Sequence, residues 1–229
     1  MRKSSIILSI FIGLVIGLSF CKKTDEKIRI NPIVKPGFTV MDYDSNEYKT
    51  IQIGQQIWLQ ENLRTLHYND GRLISTMWIY DSDTAAVEDY GFLYSWSILE
   101  DSCGVCPEGM HVPSEHEVKV LVEYLGGIKL AGGYLKDTDP KYWETPNNGA
   151  NNESQWSGRA SGYFSPVSSL FINRRKIGYW WTQSQNVQGK GMAFTLDKVS
   201  MDVDFINFPY DFGFSIRCLH DSLDLSVSM

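Results

Sequence analysis

The sequence predicts an α+β fold: one compact domain with extensive irregular loops, preceded by a signal peptide and a linker. Three observations carry this. A strong capped helix lies at the middle of the 229 residues, strand-like runs gather after it, and no segment repeats at a fixed period. Removing a leader of about 20 residues leaves roughly 200, the size of a single domain.

The elements follow in chain order. Arg2 and Lys3 open the chain, and residues 6–20 form one uncharged apolar run. A spanning helix needs about 20 apolar residues, so this run has the length and flanks of a signal-peptide core, assigned to residues 1–20. Leu18-Ser19-Phe20-Cys21 resembles a bacterial lipobox, with Phe20 at a position that usually holds Gly or Ala. A diacylglycerol on Cys21 would anchor the mature chain to a membrane, because each buried CH2 contributes about 0.8 kcal/mol. The expected address is the cell envelope, at the outer membrane or cell surface. Residues 21–37 are charged at their start, carry two prolines and lack periodicity, which reads as a linker.

Tyr48 to Ile53 alternates polar and apolar residues, Gly54 interrupts, and Ile57-Trp58-Leu59 resumes, the pattern of a hairpin. Tyr90 to Leu99 is a weaker helix candidate. Ser114 and Glu117 form an S-x-x-E capping box after Pro113, and Val118, Leu121, Val122 and Leu125 recur on one helical stripe that Gly126-Gly127 ends. Residues 137–169 are rich in Asn, Gly, Ser, Asp and Pro and read as loop. Strands are expected at residues 178–182, 192–196 and 213–219.

Composition excludes some functions. The net charge is −6 and no basic stripe exists, so nucleic acid is not an expected partner. Lipidating Cys21 leaves Cys103, Cys106 and Cys218 in an oxidising compartment, enough for one bridge and one leftover thiol. The chain holds 7 Trp and 12 Tyr. Core packing accounts for most of that aromatic mass. Trp143 and Trp156, with Tyr142 beside the first, sit in the polar loop stretch and are the candidates for an exposed platform that binds a glycan or a protein.

Several segments together resemble the Fibrobacter succinogenes major paralogous domain, a family of exported bacterial modules. They are residues 48–63 (YKTIQIGQQIWLQENL), 90–96 (YGFLYSW), 106–114 (CPEGMHVPS), 180–182 (WWT) and 213–218 (GFSIRC), in the family's order. Met110 and Val118 stand where that family tends to carry Trp. The likeness covers about residues 38–221, with 222–229 as a tail. The family in turn is similar to the C-type-lectin-like fold and to formylglycine-generating enzymes. The resemblance implies a domain whose two ends meet in one sheet, and a disulfide between Cys106 and Cys218 that ties the helix region to the last strand.

The chemistry of those relatives does not transfer residue by residue. The Ca2+-binding tripeptides of sugar-binding C-type lectins are absent, and the Asn- and Asp-rich stretches have a sufficient explanation in turn formation. Formylglycine-generating enzymes use a late cysteine pair, and this chain has only Cys218 there. Cys103-Gly104-Val105-Cys106 is a C-x-x-C, but no helix follows until Ser114. His111 and His116 do not complete a zinc set with it. No G-x-S-x-G, H-E-x-x-H or phosphate-binding loop occurs. The expected function is therefore a non-catalytic, lipid-anchored binding or structural module without metal or cofactor. An envelope protein or a glycan is its expected partner. A divergent formylglycine-generating-type oxidase is the alternative.

Overall fold

A computed structural model describes residues 32–221. The segments expected to be signal peptide and lipidated Cys21, most of the expected linker, and the tail from Ser222 onward lie outside the described residues. The fold is mostly β, with few and short helices. The strands are β1 (Val34–Met41), β2 (Glu47–Ile53), β3 (Gln56–Leu59), β4 (Met77–Trp78), β5 (Leu93–Ser95), β6 (Met110–His111), β7 (Tyr163–Ser165), β8 (Leu170–Ile172), β9 (Ile177–Gln185), β10 (Gly191–Asp197), β11 (Val203–Phe208), β12 (Gly213–Phe214) and β13 (Leu219–His220). The α-helices are α1 (Val87–Tyr90), α2 (Glu115–Tyr124) and α3 (Ala131–Leu135).

Three sheets form. The first has the order β1-β2-β3-β13-β6, the second β4-β5-β12-β7-β8, and the third β11-β10-β9. In the first sheet β13 lies between β3 and β6, pairing Leu219 with both Trp58 and His111. The two ends of the domain therefore meet in one sheet. β1 begins at Val34, so residues 34–37 are strand rather than linker. Its ladder to β2 shifts between Pro36 and Thr39. Pro36 has no N–H to give, and Thr50 Oγ1 fills the gap, accepting from Phe38 N and donating to Phe38 O, both at 2.7 Å.

The expected hairpin is β2–β3, with Gly54 in the left-handed region at φ 61°. The capped helix is α2. Ser114 accepts from Glu117 N while the Glu117 side chain accepts from Ser114 N, and Val118, Leu121 and Val122 are buried. Other expectations are corrected. Residues 90–99 are not a helix: the chain ends α1 at Tyr90, crosses β5 and closes a 3-10 turn over Trp96–Glu100. The cause is Gly91, at φ 68°, where an added Cβ would lie 2.5 Å from Leu63 O. The run 213–219 is two short strands separated by residues that bond elsewhere. Trp181 N donates to Ser215 O at 3.0 Å, and Leu63 N to Ile216 O at 2.9 Å. β11, β8 and α3 carry no clear periodicity in the sequence and form through tertiary pairing.

Two apolar clusters fill the interior. One gathers Tyr48, Leu59, Tyr94, Trp96, Trp181 and Phe214 around the disulfide. The other gathers Trp58, Trp143, Trp156, Trp180 and Phe194 under α2 and α3.

Candidate functional site

The segments that carry the family likeness converge on one buried side chain, Asn62. Its Nδ2 donates to Tyr90 O at 2.9 Å and to Ser215 Oγ at 3.3 Å. Its Oδ1 accepts from Trp180 Nε1 at 2.9 Å and from Arg217 Nη2 at 2.6 Å. Asn62 thus joins the end of the β3 segment to the Tyr90-Gly91-Phe92 turn, to β9 and to the chain before β13. Arg217 is fully buried, lies 3.9 Å over the Trp156 ring, and donates from Nη1 to Trp156 O. Burial holds its pKa well below the usual value, with the Arg159 charge adding to the effect. These motif residues brace the interior.

A second hub is Lys136, also fully buried. Its ammonium donates to three backbone carbonyls, Ser200 O at 2.7 Å, Asn148 O at 2.8 Å and Asp197 O at 2.9 Å. It lies 5.6 Å from the Trp143 ring centre. Burial pushes its pKa down to about 8, against the opposing charge of Asp197. The Asn-rich loop is thereby fastened by an internal cation. Its side chains turn back on the backbone: Asn151 Oδ1 accepts from Glu153 N, and Asn152 Oδ1 from Ser157 N, each at 3.0 Å. Among the described residues no group of three His, Cys, Asp or Glu is arranged to hold a metal ion.

Trp143 and Trp156 do not form an exposed platform. They are 1% and 0% exposed. Trp143 Nε1 donates to Gly158 O at 2.8 Å, and Trp156 packs edge-on against Trp58 and Trp180. The polar loop has little other apolar mass, so its indoles turn inward and become the core beneath it. Tyr142 is half-buried, with its hydroxyl 3.0 Å from Asp89 Oδ1 and Arg159 stacked 4.1 Å from its ring centre. The aromatic surface lies elsewhere, on the second sheet. Trp78 spans the glycine at 213, where a Cβ would come within 2.7 Å of its ring, and stacks 4.5 Å from Phe164. Phe164 meets Phe171 at 5.1 Å, and Phe171 meets Tyr80 at 5.0 Å. All four rings are half-buried.

Cys106 bridges Cys218, and Cys103 is left as a half-exposed thiol. The C-x-x-C is therefore not a dithiol pair. A hydrogen bond with the Asp70 carboxylate pushes the Cys103 pKa up, the reverse of a reactive thiolate. Beside the bridge lies a cavity of about 250 Å³ with an apolar floor of Ile98, Leu99, Val105, Met110 and Val112. Its rim carries Glu100, Asp101, Gln183 and His111. Asp101 is already engaged, accepting from Arg72 Nη2 at 2.9 Å and Cys103 N at 3.0 Å.

His111 is clasped on both sides. Nδ1 lies 2.5 Å from Asp221 Oδ1, and Nε2 lies 3.0 Å from Glu117 Oε1. Burial alone would raise the Glu117 pKa, but bonds from Ser114 and His111 outweigh it and hold the carboxyl below its ordinary value. His111 is a polar rim residue that the sequence pattern marks only as part of a strand entering a helix.

Taken together, the chain is a small, disulfide-braced, mostly β domain whose recurrent segments meet at a buried polar hub. It belongs to the Fibrobacter succinogenes major domain family, whose model matches residues 51–220. No curated protein and no solved structure gives a match.

Proposed function

We propose that this chain is an exported, lipid-anchored, non-catalytic binding module of the bacterial envelope, built on a C-type-lectin-like domain. The lectin-like assignment draws support from the meeting of the domain's two ends in one sheet and from the bridge that ties the last strand to the region before α2. The single observation behind the binding role is the cavity beside that bridge. It combines an apolar floor with a few convergent polar groups, the usual make-up of a small-ligand seat. Two of its polar rim groups, Asp101 and His111, are engaged with protein partners, as the Arg72–Asp101 and His111–Glu117 pairs show. The lipobox-like Leu18-Ser19-Phe20-Cys21 supports anchoring through an acylated Cys21 at the outer membrane or cell surface.

Two measurements test this. Mass spectrometry of the mature N-terminus should find an acylated Cys21, and Cys21→Ser should release the chain from the detergent phase or leave the precursor uncut. A photo-crosslinker placed at Ser102 on the cavity rim should capture an envelope component in native membranes. An unmodified N-terminus at another residue overturns the anchoring, and absence of capture from the rim overturns the seat.

A second reading is glycan binding, favoured by the half-exposed aromatic row Trp78–Phe164–Phe171–Tyr80. Trp78→Ala should abolish retention on a glycan array if this row is used.

A further inference from the structure

The cavity beside the disulfide takes its walls from four segments: the 3-10 turn over Trp96–Glu100, the loop at 101–106, β6 with Val112, and β9 at Gln183. Ile98, Val105, Met110 and Val112 are buried, and Cys106 is tied to Cys218. The floor is therefore held in shape by the core and the bridge, so no ordering cost falls on a ligand that enters it. At about 250 Å³ the space exceeds the ~150 Å³ that holds a benzene, so it takes an aliphatic body of about four to six carbons.

The charge around that floor has one sign. The lining holds two carboxylates, Glu100 and Asp101, and no lysine or arginine. Arg72 reaches Asp101 at 2.9 Å, but its Nε donates to Asp70 at 2.6 Å. His111 lies between Asp221 at 2.5 Å and Glu117 at 3.0 Å. Each of these groups faces two carboxylates, so even a protonated imidazole leaves the rim with an excess of negative charge. Glu100 stands exposed at the end of the 3-10 turn. Its carboxylate makes no hydrogen bond or ion pair among the described residues, and neither does the Gln183 side chain. Low-dielectric walls focus a field of this kind into the opening, where it attracts a cation and repels an anion. A primary ammonium offers three N–H donors and no acceptor, which suits a carboxylate beside a carboxamide oxygen. A carbon chain on that ammonium suits the floor.

We infer that the cavity is a seat for a small primary alkylamine, with its aliphatic chain on the floor of Ile98, Val105, Met110 and Val112 and its ammonium at the rim against Glu100, where Gln183 is a second acceptor. This rests on reading the cavity as a binding seat and names the class of ligand that the seat takes.

The test titrates three probes of equal length, n-pentylamine, n-pentanol and pentanoate, into the chain prepared from Cys21 without its lipid. At neutral pH the first is a cation, the second neutral and the third an anion. The Met110 methyl and Val112 amide resonances report on the floor. Pentylamine should bind about tenfold more tightly than pentanol, as a hydrogen bond to a charged group gives, and pentanoate more weakly than either. Shortening the amine by one carbon should weaken it about fourfold, the value of one buried CH2. Raising the salt from about 20 mM to about 0.5 M should erode the preference for the amine over the alcohol. Glu100→Gln should bring pentylamine down to the pentanol level. Leu99→Trp, at a half-buried position of the floor, should fill the space and remove both. Equal binding of amine and alcohol, a preference for pentanoate, or a Glu100→Gln variant that keeps the amine preference overturns the inference and leaves the cavity a seat for another class of ligand. Binding of none of the three probes overturns the seat as well.

Discussion

Replacing both Cys106 and Cys218 with alanine removes a cross-link across 112 positions of sequence. The chain-entropy relation gives about 2.1 + 1.5R ln n cal/mol/K, so a loop of this size restricts the unfolded chain by about 16 cal/mol/K, or ~4.8 kcal/mol at 25 °C. The sulfurs belong to residues 3% and 0% exposed, inside the first apolar cluster. Truncation there adds a packing loss of about 1 kcal/mol. Engineered and native bridges often deliver less than the relation, so the expected loss is about 3–5 kcal/mol. For a domain of this size, 1 kcal/mol moves Tm by about 2–4 °C, so Tm should fall by roughly 6–20 °C. Total stability of a domain is about 5–15 kcal/mol, so a chain at the low end would not stay folded at 37 °C. Urea unfolding without reductant is the assay, with midpoint and slope read separately. The slope should rise, because the uncrosslinked unfolded chain exposes more surface. Cys103→Ala, at a half-exposed thiol, should change stability by less than about 0.5 kcal/mol. A double variant that loses less than about 1 kcal/mol, or a Cys103→Ala variant that loses as much as it does, would refute the reasoning.

The other predictions concern the internal hubs. Asn62→Ala leaves Trp180 Nε1, Arg217 Nη2 and Tyr90 O without their partner, and should cost about 3 kcal/mol or more by urea unfolding. Lys136→Met strands three carbonyls and should cost about 3 kcal/mol near neutral pH. The folded pKa of Lys136 is about 8, below the ordinary lysine value, so between pH 8 and about 10.4 the unfolded chain binds more protons. Wild-type stability relative to Lys136→Met should therefore grow across that window, and a shrinking difference there contradicts the assignment. Ser114→Ala removes the cap of α2 and should cost about 1 kcal/mol, measurable as a Tm drop of a few degrees. Trp143→Ala should cost about 3–5 kcal/mol in stability while leaving any glycan-array signal of the folded protein unchanged.

Local signals were legible where the physics is local. The β2–β3 hairpin and the Ser114–Glu117 cap could be read because alternation, a glycine at positive φ and a reciprocal cap each act within a few residues. The family likeness, and through it the Cys106–Cys218 bridge, was legible because its segments recur in order. Its residues brace the molecule: Asn62, Trp180 and Arg217 meet although they lie far apart in sequence. Neither Asn62 nor Lys136 could be singled out from sequence, since a lone Asn or Lys has no pattern. Each became a hub when folding left buried carbonyls and ring N–H groups that required a partner.

By itself the sequence determined the membership of its family, the capped helix, the first hairpin and the pairing of two cysteines. Only the tertiary structure decided which aromatics face inward. Trp143 and Trp156 lie in a stretch whose polarity suggested exposure, and they are core because the loop has little other apolar mass to fill the space below it. Trp78, Tyr80, Phe164 and Phe171 pack against one another and stay half-covered. Burial is a property of what packs against a side chain, and those neighbours come from segments that sequence order keeps apart.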